Sequence, residues 1–346
     1  MTTRRALLAG GVVAGAALVA QPRWKFFEGL ADSVTANSGT PAAIPSGPPP
    51  VPKPRPPIAE PRMVDIPGGY KVWTQAVGEG DTNVLLLHGG PGFSHDYLEA
   101  FTDYVPQSGL QIIYYDQLGC GKSDKPTDRS LWTLERYLQE VEAVRTALGL
   151  ENFVLYGHSW GGILAIEYAL RYGRNLSRLV ISNMTASIPA YVMYATQIRS
   201  QLPRKDQQTL AHYEALSRTD APAYQKILDR IYAEHVLRMQ PWPEPVQRAF
   251  GGANMEIYNT MQGPNEFVIT GNLKDWNRWQ QLHDITVPTL IMGAKHDEMD
   301  PAQITQEAKI IPGAKLWISE KGSHLAMWDD QEAYFARLMP FLMGEG

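Results

Sequence analysis

The run Gly157-His158-Ser159-Trp160-Gly161 places a serine between two glycines in a pattern suited to nucleophilic chemistry. A serine hydroxyl is a poor nucleophile near neutral pH. Attack on a carbonyl needs a base to take its proton and a carboxylate to orient that base. Of the eight histidines, His158 lies within the serine turn, His88 and His95 belong to or follow a glycine-rich loop, and His212 and His235 fall in helical stretches. His283 precedes a strand and His296 sits beside the acid candidates, whereas His324 follows the last strand in Gly322-Ser323-His324. Position therefore selects His324 as the base. The acid is expected in Ala294-Lys295-His296-Asp297-Glu298-Met299-Asp300, after another strand, with Asp297 first. Glu298 and Asp300 next to it are also placed to cap the following helix. A negatively charged intermediate needs two backbone N–H groups aimed at it. Trp160 supplies one; the loop His88-Gly89-Gly90-Pro91-Gly92 supplies the other, from Gly90 first and Gly89 second.

These groups meet only if strands carry them to one edge. An apolar run ending at Tyr156 stops at the serine turn, and residues 163–170 continue with helical spacing, which is the strand–turn–helix context the motif requires. Residues 83–87, 110–115, 178–182, 287–293 and 314–318 read as further buried strands. Residues 62–66 and 70–77 flank Pro67-Gly68-Gly69 as an opening hairpin. Helical spacing marks 133–148, capped by Thr133 and closed by Gly149, as well as 301–311 and 330–343. The alternation predicts an α/β fold with a mostly parallel central sheet. It breaks over residues 184–274, which hold helix-like stretches at 206–217 and 221–239, and then resumes. The expected organisation is core at 62–183, an inserted helical cap at 184–274 and core again at 275–346.

At 346 residues with 44% hydrophobic and 19% charged side chains, the chain has ample core for a globular fold. A net charge of −5 argues against a nucleic-acid surface, and the lone Cys120 excludes an intrachain disulfide. No Cys/His spacing suits zinc, so neither metal nor cofactor is expected. Arg4-Arg5 precede the uncharged run 6–20, which is short for a membrane span. Residues 1–20 read as an export signal of the twin-arginine type, with periplasmic delivery in a bacterium and no stable span in the mature protein. An uncleaved inner-membrane anchor is the alternative. Residues 21–61 are proline-rich towards their end and form a stiff linker.

The loop His88-Gly89-Gly90-Pro91-Gly92, the run Asp116-Gln117-Leu118-Gly119-Cys120-Gly121-Lys122-Ser123, the serine turn with Gly162, and Gly322-Ser323-His324 together resemble the proline iminopeptidases. These are serine aminopeptidases of the α/β-hydrolase fold, whose triad order matches Ser159, Asp297, His324. The resemblance runs from about residue 63 to the C-terminus. It implies release of an N-terminal residue, often proline, from small peptides, aminoacyl amides or esters. It also implies that acidic residues of the cap and triad loop hold the substrate's α-ammonium. Gly263-Pro264-Asn265-Glu266-Phe267 and the residue after Asp297 match those positions, which assigns the role to Glu266 and Glu298. Cap aromatics Tyr191, Tyr194, Trp242, Tyr258 and Phe267 are candidates for a pocket wall or simply cap core. An amidase or esterase indifferent to a free amine, or a non-catalytic binding protein, are the competing readings.

Overall fold

A computed structural model describes residues 57–104 and 109–345. The expected export signal and all but residues 57–61 of the linker lie outside the described residues. The strands are β1 (Arg62–Ile66), β2 (Tyr70–Val77), β3 (Thr82–Leu87), β4 (Leu110–Tyr115), β5 (Phe153–His158), β6 (Leu176–Ser182), β7 (Thr289–Ala294) and β8 (Lys315–Ser319). They form one eight-stranded sheet in the order β1-β2-β4-β3-β5-β6-β7-β8. The β1–β2 hairpin and the β2–β4 pair are antiparallel; all remaining pairs are parallel. Central strands are apolar throughout because both faces are covered. Val84, Leu85, Leu86 and Leu87 of β3 and Val154, Leu155 and Tyr156 of β5 have no exposed surface. Each such side chain contributes about 1.5–3 kcal/mol of hydrophobic stabilisation.

Parallel register is what assembles the site. Leu87 of β3 lies opposite Gly157 of β5, His158 opposite Ser182 of β6, and Ser182 opposite Met292 of β7. Consequently the loops after β3, β5, β6 and β7 leave the sheet side by side, where clefts form in open parallel sheets.

The helices are α1 (Leu134–Leu148), α2 (Trp160–Tyr172), α3 (Ile188–Ser200), α4 (Arg204–Ala215), α5 (Pro222–His235), α6 (Glu244–Gly251), α7 (Met255–Met261), α8 (Pro301–Ile310), α9 (Ala326–Asp329) and α10 (Gln331–Met343). The Thr133 hydroxyl accepts the Arg136 N–H at 3.3 Å and so caps α1. Helices α3 to α7 all lie between β6 and β7 in the chain. The helix expected over 221–239 ends at His235, because the next residues turn away to bond the loop after β8. Carbonyls of His235 and Val236 accept the N–H groups of His324 and Leu325 at 3.0 and 2.9 Å. A tight helical turn, His95–Asp103, and the short α9 have no periodic signature long enough to show in the sequence.

Candidate active site

Ser159 caps the N-terminus of α2 with φ +55° and ψ −127°, a conformation non-glycine residues seldom adopt. Such a residue stores about 1–3 kcal/mol of backbone strain, held here by the elements around it. Its N–H donates to the Ser182 carbonyl at 3.0 Å, tying the turn to β6. The flanking glycines are sterically required. A Cβ at Gly157 would stand 2.1 Å from the Gly161 carbonyl oxygen, and one at Gly161 would stand 2.1 Å from that of Leu87. The serine thus projects into the cleft at the positive end of a helix.

Asp297 and His324 meet across the ends of β7 and β8. His324 Nδ1 lies 2.8 Å from Asp297 Oδ1, and both residues are buried. The other carboxylate oxygen of Asp297 accepts from Asn183 Nδ2 at 2.6 Å, while Oδ1 also accepts the Met299 N–H at 3.0 Å. Burial works to lower the pKa of His324, but the charge of Asp297 and the hydrogen bond to it outweigh burial and raise it above the ordinary imidazole value. Ser159 and His324 border one cleft, together with Gly89, Gly90, Phe93, Tyr97, His158 and Glu266. A second, apolar recess meets it at Gly90, Ser159 and Glu266 and is walled by Ile163, Met184, Ile188, Leu273 and Met299.

The glycine-rich loop reaches Ser159 from β3. Gly89 N–H is taken by the Tyr97 hydroxyl at 2.6 Å. Gly90 borders both recesses. Trp160 opens α2, where the first N–H groups have no partner inside the helix. Its indole N–H donates to Gln117 Oε1 at 2.8 Å. Gln117 in turn donates through Nε2 to the His88 carbonyl at 3.0 Å and through its backbone N–H to His88 Nε2 at 3.1 Å. The Asp116–Ser123 run of the sequence therefore braces the loop and the serine turn against each other. Asp116 itself accepts both the backbone N–H and Nδ1 of His95 at 2.8 Å. Those bonds bring its carboxyl to a pKa of about 2 in spite of burial.

Glu266 and Glu298 are both buried. Glu266 accepts from Gln262 Nε2 at 3.3 Å and from the Tyr191 hydroxyl at 3.4 Å. Neither carboxylate oxygen of Glu298 has a hydrogen-bond partner, and Oε1 stands 3.7 Å from His324 Nε2. Burial, then the charges of Glu266 and Asp297, push the Glu298 carboxyl well above its usual range, and burial also raises Glu266. Among the aromatics, Tyr191 borders the apolar recess. Trp242, Tyr258 and Phe267 are buried, and Tyr258 stacks on Phe93 at the cleft, with ring centroids 5.9 Å apart. A metal-like grouping of His95, Asp96 and Glu99 occurs among the described residues. Its charges are already matched, since Arg248 binds Asp96 and Glu99 while His95 binds Asp116.

Four contributors had no individual signal in the sequence: Asn183, Tyr97, Gln117 and the ring of His158. The place of His158 inside the serine turn says nothing by itself of a role for its side chain, and the turn alone would let the ring point away from Ser159. The ring instead borders the cleft and stands 4.9 Å from that of His324.

Residues 82–331 match the family model of the alpha/beta hydrolase fold. The proline iminopeptidase of Flavobacterium johnsoniae is 42% identical over 280 residues, covering 80% of this chain and 94% of that protein. Among solved structures, VinJ superposes with a TM-score of 0.80 at 33% identity, over 84% of this chain and 100% of its own. The proline iminopeptidase of Mycobacterium smegmatis gives a TM-score of 0.75 at 31% identity, over 83% and 98%. Sheet topology, serine turn and these likenesses agree: the chain belongs to the α/β-hydrolase fold family and, within it, to the proline iminopeptidases.

Proposed function

We propose that this protein is an exported serine aminopeptidase that releases an N-terminal residue, proline preferred, from peptides or aminoacyl amides. The hydroxyl of Ser159 attacks the scissile carbonyl as His324 takes its proton. Asp297 keeps the protonated nitrogen of His324 on the far side of the ring and stabilises the imidazolium. The N–H groups of Gly90 and Trp160 receive the developing oxyanion, since that of Gly89 is already engaged. His324 then protonates the leaving amine, and water resolves the acyl-enzyme by the same steps in reverse.

One observation carries the aminopeptidase reading: a buried carboxylate with neither oxygen hydrogen-bonded stands beside the base, with a second buried carboxylate on the cleft wall. Unpaired buried carboxylates are costly unless a cation joins them. A substrate α-ammonium supplies that cation, and the secondary ammonium of an N-terminal proline offers two N–H donors for two acids. Names of the similar proteins support proline as the released residue. Export is supported by Arg4-Arg5 and the uncharged run after them. Among the described residues no helix is long and apolar enough to cross a membrane.

Rates on L-prolyl 4-nitroanilide and its N-acetyl form test the reading. The free amine should be turned over at least ~10-fold faster, as expected for a lost charged hydrogen bond. Equal rates would point to a general amidase or esterase. Ser159→Ala should abolish hydrolysis of both, and N-terminal sequencing of the secreted protein should place its first residue beyond the run 6–20.

A further inference from the structure

Beneath the cleft, three hydrogen bonds lie outside the line from nucleophile to base to acid. The Gly89 N–H donates to the Tyr97 hydroxyl at 2.6 Å. That hydroxyl lies 3.0 Å from His158 Nδ1. His158 Nε2 lies 2.9 Å from the carbonyl oxygen of His324. Tyr97 and His158 are each about 1% exposed, so water does not compete for these bonds.

Their direction is fixed by chemistry. A carbonyl oxygen only accepts, so His158 Nε2 carries a proton. Burial, with His324 close by, depresses the pKa of His158 well below the ordinary imidazole value, so the ring is neutral and Nδ1 is bare. Nδ1 therefore accepts the Tyr97 proton, and the phenol, which burial keeps protonated, has its lone pairs left for Gly89. Each assignment forces the next.

We infer that Tyr97 and His158 form a positioning relay that locks the glycine loop after β3 to the backbone of the base. At one end the relay occupies the Gly89 N–H, leaving Gly90 to face the oxyanion. At the other end it holds the peptide of His324, whose own N–H is held by the His235 carbonyl at 3.0 Å. Spacing is tight: a Cβ added to Gly89 would stand 2.9 Å from Ser159 Cβ and 3.0 Å from the Tyr97 hydroxyl. The relay thus sets the distance between oxyanion donor and proton acceptor, which matters in the transition state and little in the ground state.

The inference rests on the roles proposed for Ser159, His324 and Gly90, and its test separates the two. In the full chain, Tyr97→Phe, His158→Leu, His158→Gln and the double variant Tyr97→Phe/His158→Leu are assayed on L-prolyl 4-nitroanilide, with thermal melting to verify folding. Tyr97→Phe removes one oxygen and His158→Leu the ring; each should lower kcat roughly 10- to 100-fold with KM nearly constant. His158→Gln should recover most of the loss, because an amide both accepts and donates. The double variant should be no worse than the poorer single variant, as expected of one connected unit. Unchanged kcat in folded Tyr97→Phe overturns the relay, as do losses that multiply in the double variant or fall on KM alone. Should His158→Leu fail to fold, Tyr97→Phe against wild type still decides. Turnover retained by Ser159→Ala sinks the catalytic reading instead, whatever the relay variants do.

Discussion

At the scale of single residues the site is a problem of charge placement. In the proposed role of base His324 must be neutral, and the buried Asp297 raises its pKa above 6.5. Its contribution to activity is therefore lost as pH falls through that raised value. The substrate amine must stay charged, and an α-amino group titrates at about 7.7–8.0. The expected profile of kcat/KM is a narrow bell, rising above pH 6.5 and falling as the amine deprotonates; an N-acetyl substrate should lose the falling limb. Glu298 sharpens the point. Burial and the neighbouring carboxylates push its pKa up, and an arriving ammonium pulls it down. Binding of prolinamide to the Ser159→Ala protein should release protons, read as a dependence of calorimetric heat on buffer ionisation enthalpy. Glu298→Gln should lower kcat/KM for free amines by roughly 10- to 100-fold, the worth of about 1.5–3 kcal/mol for a charged hydrogen bond, and should suppress the proton release. The positions of Ser159, Asp297 and His324 after strands were legible because each lies within a short run that follows an apolar stretch. Asn183 and Tyr97 were not, since their partners lie 114 and 61 residues away and only the fold selects them.

At the scale of elements, the helices between β6 and β7 do more than roof the cleft. The segment leaving α5 lends two carbonyls to the His324 loop, so the placement of these helices and that of His324 are one structural fact. Helix α6 carries Phe250, which packs on Phe93 with ring centroids 4.6 Å apart and borders the cleft. Arg248 of α6 bonds Asp96 at 3.2 Å and Glu99 at 2.6 Å in the helical turn His95–Asp103, and Glu244 in its own helix. With 39% of its side chain exposed, Arg248 adds only about 1 kcal/mol or less to global stability. Its effect should be local. Arg248→Ala is expected to shift the melting temperature little while raising KM a few-fold, and wild-type KM should move towards the variant's value as salt screens the bridges. A KM independent of both substitution and salt would show that α6 needs no such tether. Buried strands were legible because being covered on both faces leaves a continuous apolar run, as in β3 and β5. The helices α3, α6 and α7 were not singled out; α6, for one, packs on the helical turn His95–Asp103, whose Asp96 and Glu99 lie 152 and 149 residues before Arg248.

At the scale of the whole molecule, a buried acid outside the Ser159–His324–Asp297 line joins the two parts of the core. Glu307 on α8 is completely buried and accepts the backbone N–H of Ala186, where the chain leaves β6 for the inserted helices. Its other carboxylate oxygen has no partner. Burial raises its pKa from 4.5 to about 8 in the folded protein. The sign follows from proton counting. Below pH 4.5 both folded and unfolded chains hold this proton and the group is neutral in its effect. Between pH 4.5 and 8 the unfolded chain has lost the proton and the folded one keeps it, so stability falls as pH rises through that window. The full penalty, present above pH 8, is a few kcal/mol, at about 1.4 kcal/mol per pKa unit. Glu307→Gln keeps an oxygen for the Ala186 N–H and cannot ionise. Urea unfolding should therefore find the variant close to wild type at pH 4.5 and more stable by about 2–4 kcal/mol at pH 8.5. Equal stabilities at both pH values would mean that water or relaxation of the chain solvates Glu307, and that the junction between β6, α8 and the inserted helices is looser than its burial indicates.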